Sequence, residues 1–360
     1  MNDTTRQGTA PAPAGTSPLP GGPFDPGPLT TKEGFRAQAR RTYGPPDLQD
    51  CAPLGTKVTL SDPRLVYHGR LLPVVTDDVG AALKQARRLL VKNLTTGNGR
   101  GPNFVVDGPR LSGKSLLAAL IALGFHALVD ELYGPDPDRH PVVYINVPHD
   151  RSDDLHWSLP FADFLGIEHS RSPETMNHRP VDMTEPIVRV MQRAGTRLVV
   201  VDGVEYIRSS ERQTAFDYLL RLQDRLPRVT FLFCGIGARE IIRAGYGDHR
   251  SQAPAAGTHA PRPHIAFPTL WVRPVPYTDA EPEQWHRVLG KVEENLRLYK
   301  HKPGTLRDLA AYLHGRTDGS MHVLDQLICQ AAQASILEGT EEIDKDLLDS
   351  VLTGYDDPAH

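Results

Sequence analysis

The sequence predicts an α/β protein in which a parallel sheet, covered by helices on both faces, precedes a small all-helical domain. Three observations lead to this fold class. A glycine-rich loop of phosphate-binding type joins a short apolar stretch to an apolar run of helix length within residues 103–129. Continuous apolar runs then alternate with helical patterns, as in parallel sheets that are buried on both faces. Beyond Pro274 only helical patterns remain.

The phosphate loop is the most informative of these features. Residues 108–115, GPRLSGKS, match the pattern of glycine, four free positions and Gly-Lys-Ser. Phe104–Asp107 is predicted as the strand before the loop and Leu116–Val129 as the helix after it, which lets backbone N–H groups wrap a triphosphate. Lys114 is expected to reach the β- and γ-phosphates and Ser115 to hold Mg²⁺; the alternative is a chance glycine turn before a helix. The predicted nucleotide contacts are Gly108, Pro109, Arg110, Leu111, Ser112, Gly113, Lys114, Ser115 and Leu116.

The N-terminal part divides into two predicted segments. Residues 1–29 are rich in Pro, Gly, Ala and Thr, and we expect a disordered arm because they offer too few apolar side chains to become ordered by burial. Residues 30–100 are predicted as an extension that leads into a linker helix. That helix, Thr76–Lys92, has a threonine at its N-cap, acids in its first turn and cations in its last.

The remaining chain is predicted as a nucleotide-binding core over residues 101–275 and a helical lid domain over residues 276–355. Residues 246–264 are expected to be a mobile loop. The expected elements are strands at Val142–Val147, Arg197–Asp202 and Val229–Cys234, core helices at Glu185–Arg193 and Arg212–Leu226, and lid helices at Pro282–Tyr299, Thr305–Leu313, Met321–Leu337 and Asp344–Leu352. A parallel-sheet P-loop NTPase core followed by a small helical domain is the layout of AAA+ proteins.

A second motif, an acid, lies at the C-terminal end of the third predicted strand. In this layout Asp202 lies beside the phosphate loop and is predicted to hold Mg²⁺ through water, the alternative being an acid that merely caps a strand end. Hydrolysis usually needs a carboxylate directly after that aspartate to orient the attacking water. Here Gly203 follows, and the nearest acid is Glu205. The candidate catalytic residues are therefore Lys114, Asp202 and Glu205. The alternative for Glu205 is a solvated or helix-capping acid. Slow or absent hydrolysis is expected.

Composition narrows the function further. A net charge of −4 gives no global nucleic-acid signature, so any DNA binding must come from a local patch. Cys51, Cys234 and Cys329 have no paired spacing, which argues against a disulfide framework or a zinc site and for a reducing compartment. No charge-free apolar run reaches membrane-spanning length, and the N-terminus has no apolar signal core. We therefore expect a cytoplasmic protein without membrane contact.

Several segments in this order resemble a known family. They are Thr30–Gly34, Tyr67–Val75, Thr196–Asp202, Val272–Tyr277, His301–Leu306, Tyr312–Thr317 and Ala331–Thr340. Together they resemble the TniB/TnsC-type AAA+ ATPases of bacterial DNA transposons, especially the actinobacterial forms. The resemblance implies ATP and Mg²⁺ as cofactors, assembly as an oligomer on duplex DNA, and a transposase partner whose target choice the protein would help to set.

Three departures from that family bear on hydrolysis. The family's Asp-Glu pair is Asp202-Gly203 here, and its Gly-Arg-Phe box, whose arginine acts on a neighbour's nucleotide, aligns with Ile265–Phe267. The usual position of a polar γ-phosphate sensor falls near Cys234. Arg262 is the candidate substitute for the box arginine, with a solvated loop arginine as the alternative. These losses favour a member kept for nucleotide-dependent assembly, either as a homo-oligomer or with an intact paralogue.

Local basic clusters are the candidate contacts to the DNA backbone, although such faces are usually only solvated. They lie at Arg36–Arg41, Lys84–Lys92 and Arg208–Arg225, and in the second cluster Lys84, Arg87 and Arg88 share roughly one helix face. Binding through phosphates would be salt-sensitive and weakly dependent on sequence. Two other functions stay open: a nucleotide-dependent scaffold or defence-type switch without DNA contact, and an ordinary hydrolysing ATPase with Glu205 as its base.

Overall fold

The computed structural model describes residues 27–41, 44–69, 73–95, 101–148, 154–168, 182–251, 267–278 and 280–351. The predicted arm at residues 1–29 lies almost wholly outside these ranges. Arg262, Ala266 and most of the loop expected at residues 246–264 also lie outside them.

A five-stranded parallel sheet forms the centre of the molecule. Its strands are β1 Phe104–Asp107, β2 Val142–Asn146, β3 Leu198–Asp202, β4 Thr230–Gly235 and β5 Thr269–Trp271, in the order β2-β3-β4-β1-β5. The first four strands were predicted from their continuous apolar runs, and their side chains are almost all buried. The register aligns Asp202 with Cys234 and Asp107 with Gly235, so that three central strands end together at one edge.

Helices cover this sheet in two groups, α1, α3 and α4 in one and α5 to α8 in the other. The helices of this part are α1 Lys32–Arg40, α2 Pro63–His68, α3 Asp77–Thr95, α4 Lys114–Tyr133, α5 Asp154–Leu165, α6 Thr184–Arg193, α7 Arg212–Arg225 and α8 Ala238–Ser251. Among the described residues, α4 alone is long and apolar enough to cross a membrane by length and composition, although Lys114, Asp130 and Glu131 limit its charge-free run to residues 115–129. This helix contacts four strands of the sheet.

Helices α2, α5 and α8 and strand β5 were not among the predicted elements. α8 runs to Ser251, so residues 246–251, which were expected to open a mobile loop, are helical. The α8 N-terminus is fixed by a side chain from β1, which no local pattern reveals: Asp107 accepts the backbone N–H of Arg239 at 2.9 Å. β5 has only three residues, too few to show a period.

The C-terminal helices are α9 Glu283–Asn295, α10 Thr305–Asp308, α11 Ala310–Thr317, α12 Met321–Glu338 and α13 Lys345–Ser350. They surround a second apolar core that also contains Leu65 and Tyr67 of α2. The helix predicted over Thr305–Leu313 is divided at Leu309, where the backbone leaves the helical region. The helical domain expected after the sheet is therefore present, and part of the N-terminal extension packs with it.

A buried ion triad fastens α2 to this helical domain. The Arg64 guanidinium is fully buried and lies 2.8 Å from a carboxylate oxygen of Glu341 and 3.1 Å from one of Asp62. The ring of Tyr299 lies under the guanidinium at 4.9 Å. Because the pairs satisfy both carboxylates inside the protein, loss of the cation would leave two buried charges without compensation.

Candidate functional site

The phosphate loop lies between β1 and α4 and depends on its glycines. A Cβ atom at Gly108 would overlap the carbonyl of Val272, and Gly113 has a φ of +92°, a left-handed conformation that favours glycine. Leu111 also has a positive φ, of 59°, which is uncommon for a residue with a side chain. Lys114 opens α4 and is mostly buried, with its ammonium group donating to the Pro109 carbonyl at 2.6 Å. Loop and helix N-terminus thus form the backbone cradle that anion binding requires.

Two residues predicted as metal ligands meet beside this loop although they are far apart in sequence. The Ser115 hydroxyl, in the first turn of α4, donates to Asp202 Oδ1 at 3.2 Å. The second carboxylate oxygen of Asp202 accepts the Tyr144 hydroxyl at 2.8 Å. Hydroxyl and carboxylate oxygens are hard ligands that suit Mg²⁺. The donor set therefore fits a magnesium ion beside a bound phosphate.

Glu205 is brought to the same edge of the sheet. It lies in a short 3₁₀ turn, Val204–Tyr206, and a Cβ atom at Gly235 would overlap its carboxylate. Its Oε2 atom is buried and has no hydrogen-bond partner among the described residues. Burial raises the pKa of the Cys234 thiol well above its usual value, and the charges of Asp202 and Glu205 raise it further while Lys114 lowers it. The side chains of Lys114, Asp202, Glu205 and Cys234 are thus close enough to influence one another electrostatically.

Gly203, which directly follows Asp202, has a backbone conformation that favours glycine. Its φ is +83°, and a Cβ atom there would lie 3.0 Å from Cδ2 of Tyr206. Its N–H donates to the Cys234 carbonyl at 2.9 Å, which fixes the turn after β3. The backbone of this turn therefore favours glycine, and a glutamate placed there would be strained.

The lid contributes the walls of a cavity next to the phosphate loop. The cavity has a volume of about 250 Å³ and is lined by Pro73, Val74, Gly113, Leu116, Val292, Asn295, Met321, His322, Leu324 and Asp325. Ser320, the N-cap of α12, donates its hydroxyl to the Leu111 carbonyl at 2.8 Å. The cavity thus lies between the linker, the phosphate loop and the C-terminal helices. Its walls are mostly apolar with a few polar groups, which is typical of small-molecule sites.

The basic clusters differ in how much charge they leave exposed. Arg36 donates to the backbone carbonyls of Pro137 and Arg139, so it serves to hold α1. In the third cluster, Arg225 is paired with Glu185. The exposed face of α3 lines a shallow open cleft through Lys84, Arg87, Arg88, Val91, Lys92 and Thr95. α3 therefore presents Lys84, Arg87 and Arg88 as exposed cations along one cleft.

Comparison with known proteins supports the fold. No family model matches the sequence, and no curated protein shows a significant match. The ORC1 protein of Aeropyrum pernix, solved in complex with DNA, has a TM-score of 0.51 at 19% identity, with 79% of this chain and 66% of that chain covered. The ORC2 protein of the same organism, solved as ADPNP and ADP complexes, gives 0.54 at 17% identity, covering 80% and 71%.

A third structure, Cdc6p of Pyrobaculum aerophilum, gives a TM-score of 0.50 at 17% identity, with 76% of this chain and 66% of that chain covered. The chain thus spans about two thirds of the length of the ORC1 and Cdc6p structures. The predicted fold class is confirmed: the chain has an α/β fold of AAA+ type, with a parallel five-stranded sheet and a helical C-terminal region.

Several residues of this site were not predicted as functional. Tyr144 appeared only as part of a buried strand, and Asp107 only as the end of another. Asp107 accepts N–H groups from Gly108 at 2.7 Å and from Gly237 at 2.9 Å, and so links the phosphate loop to the turn before α8. The sequence offered one signal for each residue, a polar side chain in an otherwise apolar strand. Buried polar groups require hydrogen-bond partners, so both positions could have been singled out as contacts to other parts of the site.

Proposed function

We propose that the protein binds Mg-ATP at the phosphate loop and uses it as an assembly switch. The observation that carries this proposal is the meeting of Ser115 Oγ and Asp202 Oδ1, 3.2 Å apart, beside a complete glycine cradle. The ADPNP and ADP complexes of the ORC2 protein support nucleotide binding by this fold.

The roles of the individual residues follow from their positions. Backbone N–H groups of Gly108–Ser115 would hold the phosphates, with Lys114 turning from the Pro109 carbonyl to the β- and γ-phosphates. Ser115 and, through water, Asp202 would hold the magnesium ion, which when bound neutralises phosphate charge. The cavity beside Leu116 would take the base.

Hydrolysis is proposed to be slow. Glu205 is the candidate base because its Oε2, which has no hydrogen-bond partner in the described part of the chain, lies at the edge where Asp202 and Lys114 converge. It does not follow Asp202 directly, and the box residue at 266 is alanine. Loss of an arginine finger alone can cost about 10³-fold in rate. We expect turnover below about 1 s⁻¹, the low end of typical enzymes, and a further loss in Glu205→Gln; a faster wild-type rate would contradict this.

For its biological role, we propose a cytoplasmic regulator of DNA transposition that assembles on duplex DNA in the ATP-bound state, as a homo-oligomer or with a paralogue, and engages a transposase. The resemblance to TniB/TnsC-type proteins supports this role, and the ORC1 protein was solved in complex with DNA. On this chain, Lys84, Arg87 and Arg88 on the exposed face of α3 are the proposed phosphate contacts.

A gel-shift series on random duplexes, with and without a non-hydrolysable ATP analogue, tests this role. Replacing Lys84, Arg87 and Arg88 with alanine should weaken binding and reduce the salt dependence, by up to about 0.9 in the log–log slope for each phosphate that the variant no longer neutralises. The matched control replaces three exposed cations elsewhere, Lys57, Lys300 and Lys302.

The expected result is an ATP-dependent shift that the α3 variant weakens and the control retains. No shift at micromolar protein, at low or moderate salt, would instead favour a nucleotide-dependent scaffold or signalling switch without DNA contact.

A further inference from the structure

We propose that Tyr144 is a positioning residue of the magnesium site: its phenol holds the Asp202 carboxylate in the orientation that faces Ser115. This inference rests on the proposed binding of Mg-ATP. Tyr144 lies in β2, one strand away from Asp202, and outside both sequence motifs of the site. Its role is thus separate from those of the residues that would touch the nucleotide or the metal.

Each oxygen of the Asp202 carboxylate accepts a hydrogen bond from a hydroxyl group. Oδ2 accepts the Tyr144 hydroxyl at 2.8 Å, the usual length for a bond between hydroxyl and oxygen. Oδ1 accepts the Ser115 hydroxyl at 3.2 Å. Rotation of the carboxylate plane would break both bonds, so the phenol on one side holds the orientation in which the other oxygen faces α4.

The sheet register explains how the phenol reaches this point. Tyr144 pairs with Val200 and Asn146 with Asp202, so Tyr144 and Asp202 project from the same face, two residues apart along neighbouring strands. The long tyrosine side chain spans that offset. Only a residue of about this length, with a donor at its tip, would place a hydroxyl on Oδ2 from this position.

Burial makes the phenol a dependable donor. Tyr144 is 3% exposed, so water has little access to take over its hydrogen bond. A phenol has an ordinary pKa of about 10, so its hydroxyl carries a proton to donate at neutral pH. The Cys234 thiol also bonds Asp202, but a thiol is a weak donor. Tyr144 is therefore the main constraint on Oδ2.

Groups that orient metal ligands from outside typically change metal affinity by about 10- to 100-fold when they are removed. We expect the lower end here, because Asp202 would act through water. Tyr144→Phe should therefore raise the Mg²⁺ concentration that half-saturates ATP binding about tenfold. ATP affinity in EDTA should stay unchanged, since the Tyr144 hydroxyl bonds Asp202 and not a backbone group of the phosphate loop.

The experiment is calorimetric titration of ATP into the full-length protein over a series of Mg²⁺ concentrations and in EDTA. Tyr144→Phe keeps the ring, and its melting temperature is recorded to confirm folding. Tyr218→Phe is the matched control, because it removes a hydroxyl from another buried tyrosine, whose ring packs on Phe161. In an Asp202→Asn background, Tyr144→Phe should cause no further change in the Mg²⁺ requirement.

The two levels of the proposal fail in different ways. If wild-type protein binds no ATP, the proposed function is wrong. If wild-type protein binds ATP with a clear Mg²⁺ requirement that Tyr144→Phe leaves unchanged or lowers, the role of Tyr144 is wrong while the proposed function stands. An equal shift in Tyr218→Phe would also overturn it, since the effect would then come from general loss of packing.

Discussion

Replacement of Gly203 gives a sharp test of how the site is built. Sequence comparison alone suggests that Gly203→Glu would restore the Asp-Glu pair and increase hydrolysis. The structure leads to a different expectation, because the backbone at Gly203 has a φ of +83°. A residue with a Cβ atom in the left-handed region is disfavoured by about 1–2 kcal/mol.

The magnitude is set by the backbone more than by contacts. Tyr206, whose ring edge lies 3.0 Å from the added Cβ, is 60% exposed and can turn away at little cost. Replacing glycine also restricts the unfolded chain, which offsets about 0.4–1 kcal/mol of the strain. The net destabilisation is therefore about 1 kcal/mol, or about 2–4 °C in Tm for a domain of this size.

Thermal denaturation and phosphate release, measured on Gly203→Ala and Gly203→Glu together, separate backbone strain from carboxylate chemistry. Both variants should lose similar stability, because both add a Cβ atom. Glutamate should increase turnover little over alanine, because the strained turn does not hold it beside Asp202. If Gly203→Ala is as stable as wild type, or Gly203→Glu hydrolyses ATP many times faster at full stability, the reasoning from the backbone is refuted.

Two further predictions concern the link between the extension and the lid. Arg64→Ala should lower the unfolding free energy by about 3–5 kcal/mol in a denaturant titration, because Asp62 and Glu341 would remain as buried charges. The control, Arg287→Ala, breaks an exposed pair with Asp77 and should cost at most about 1 kcal/mol. Equal costs for the two variants would contradict the role of the triad. Burial lowers the pKa of His68 from 6.5 to about 4, so the unfolded chain takes up a proton at higher pH than the folded one. Stability should therefore be full above pH 6.5 and fall by about 3 kcal/mol as the pH drops to 4; a His68→Gln variant with the same pH profile would show that another group is responsible.

The sequence was a good guide to features that depend on local pattern. Four strands and the phosphate loop follow from continuous apolar runs and from glycine spacing, and the register then brings Ser115 and Asp202 together. Asp202 could be singled out because packing alone rarely places an acid at the end of a buried apolar strand. These inferences needed only periodicity and the known order of strands in such sheets.

The roles of residues that contact distant parts of the chain could not be predicted from the sequence in the same way. The start of α8 is fixed by Asp107, more than a hundred residues earlier. Arg36 looks like a surface cation in sequence but is held by carbonyls of another segment. Gly203 was noted in sequence only as the absence of a catalytic glutamate, and its positive φ adds that the backbone of this turn favours glycine. In each case a tertiary contact or a backbone angle decides the role of the residue.

The central claim is that the phosphate loop binds Mg-ATP, and titration calorimetry with ATP in saturating Mg²⁺ tests it most directly. Wild-type protein should bind ATP saturably at one site per chain. Lys114→Ala, checked for unchanged melting temperature, should bind none, because the ammonium group that neutralises the β- and γ-phosphates is gone. Exposed Lys302 provides the control, and Lys302→Ala should match wild type. Absence of binding by the wild-type chain, or equal affinity in Lys114→Ala, would contradict the account.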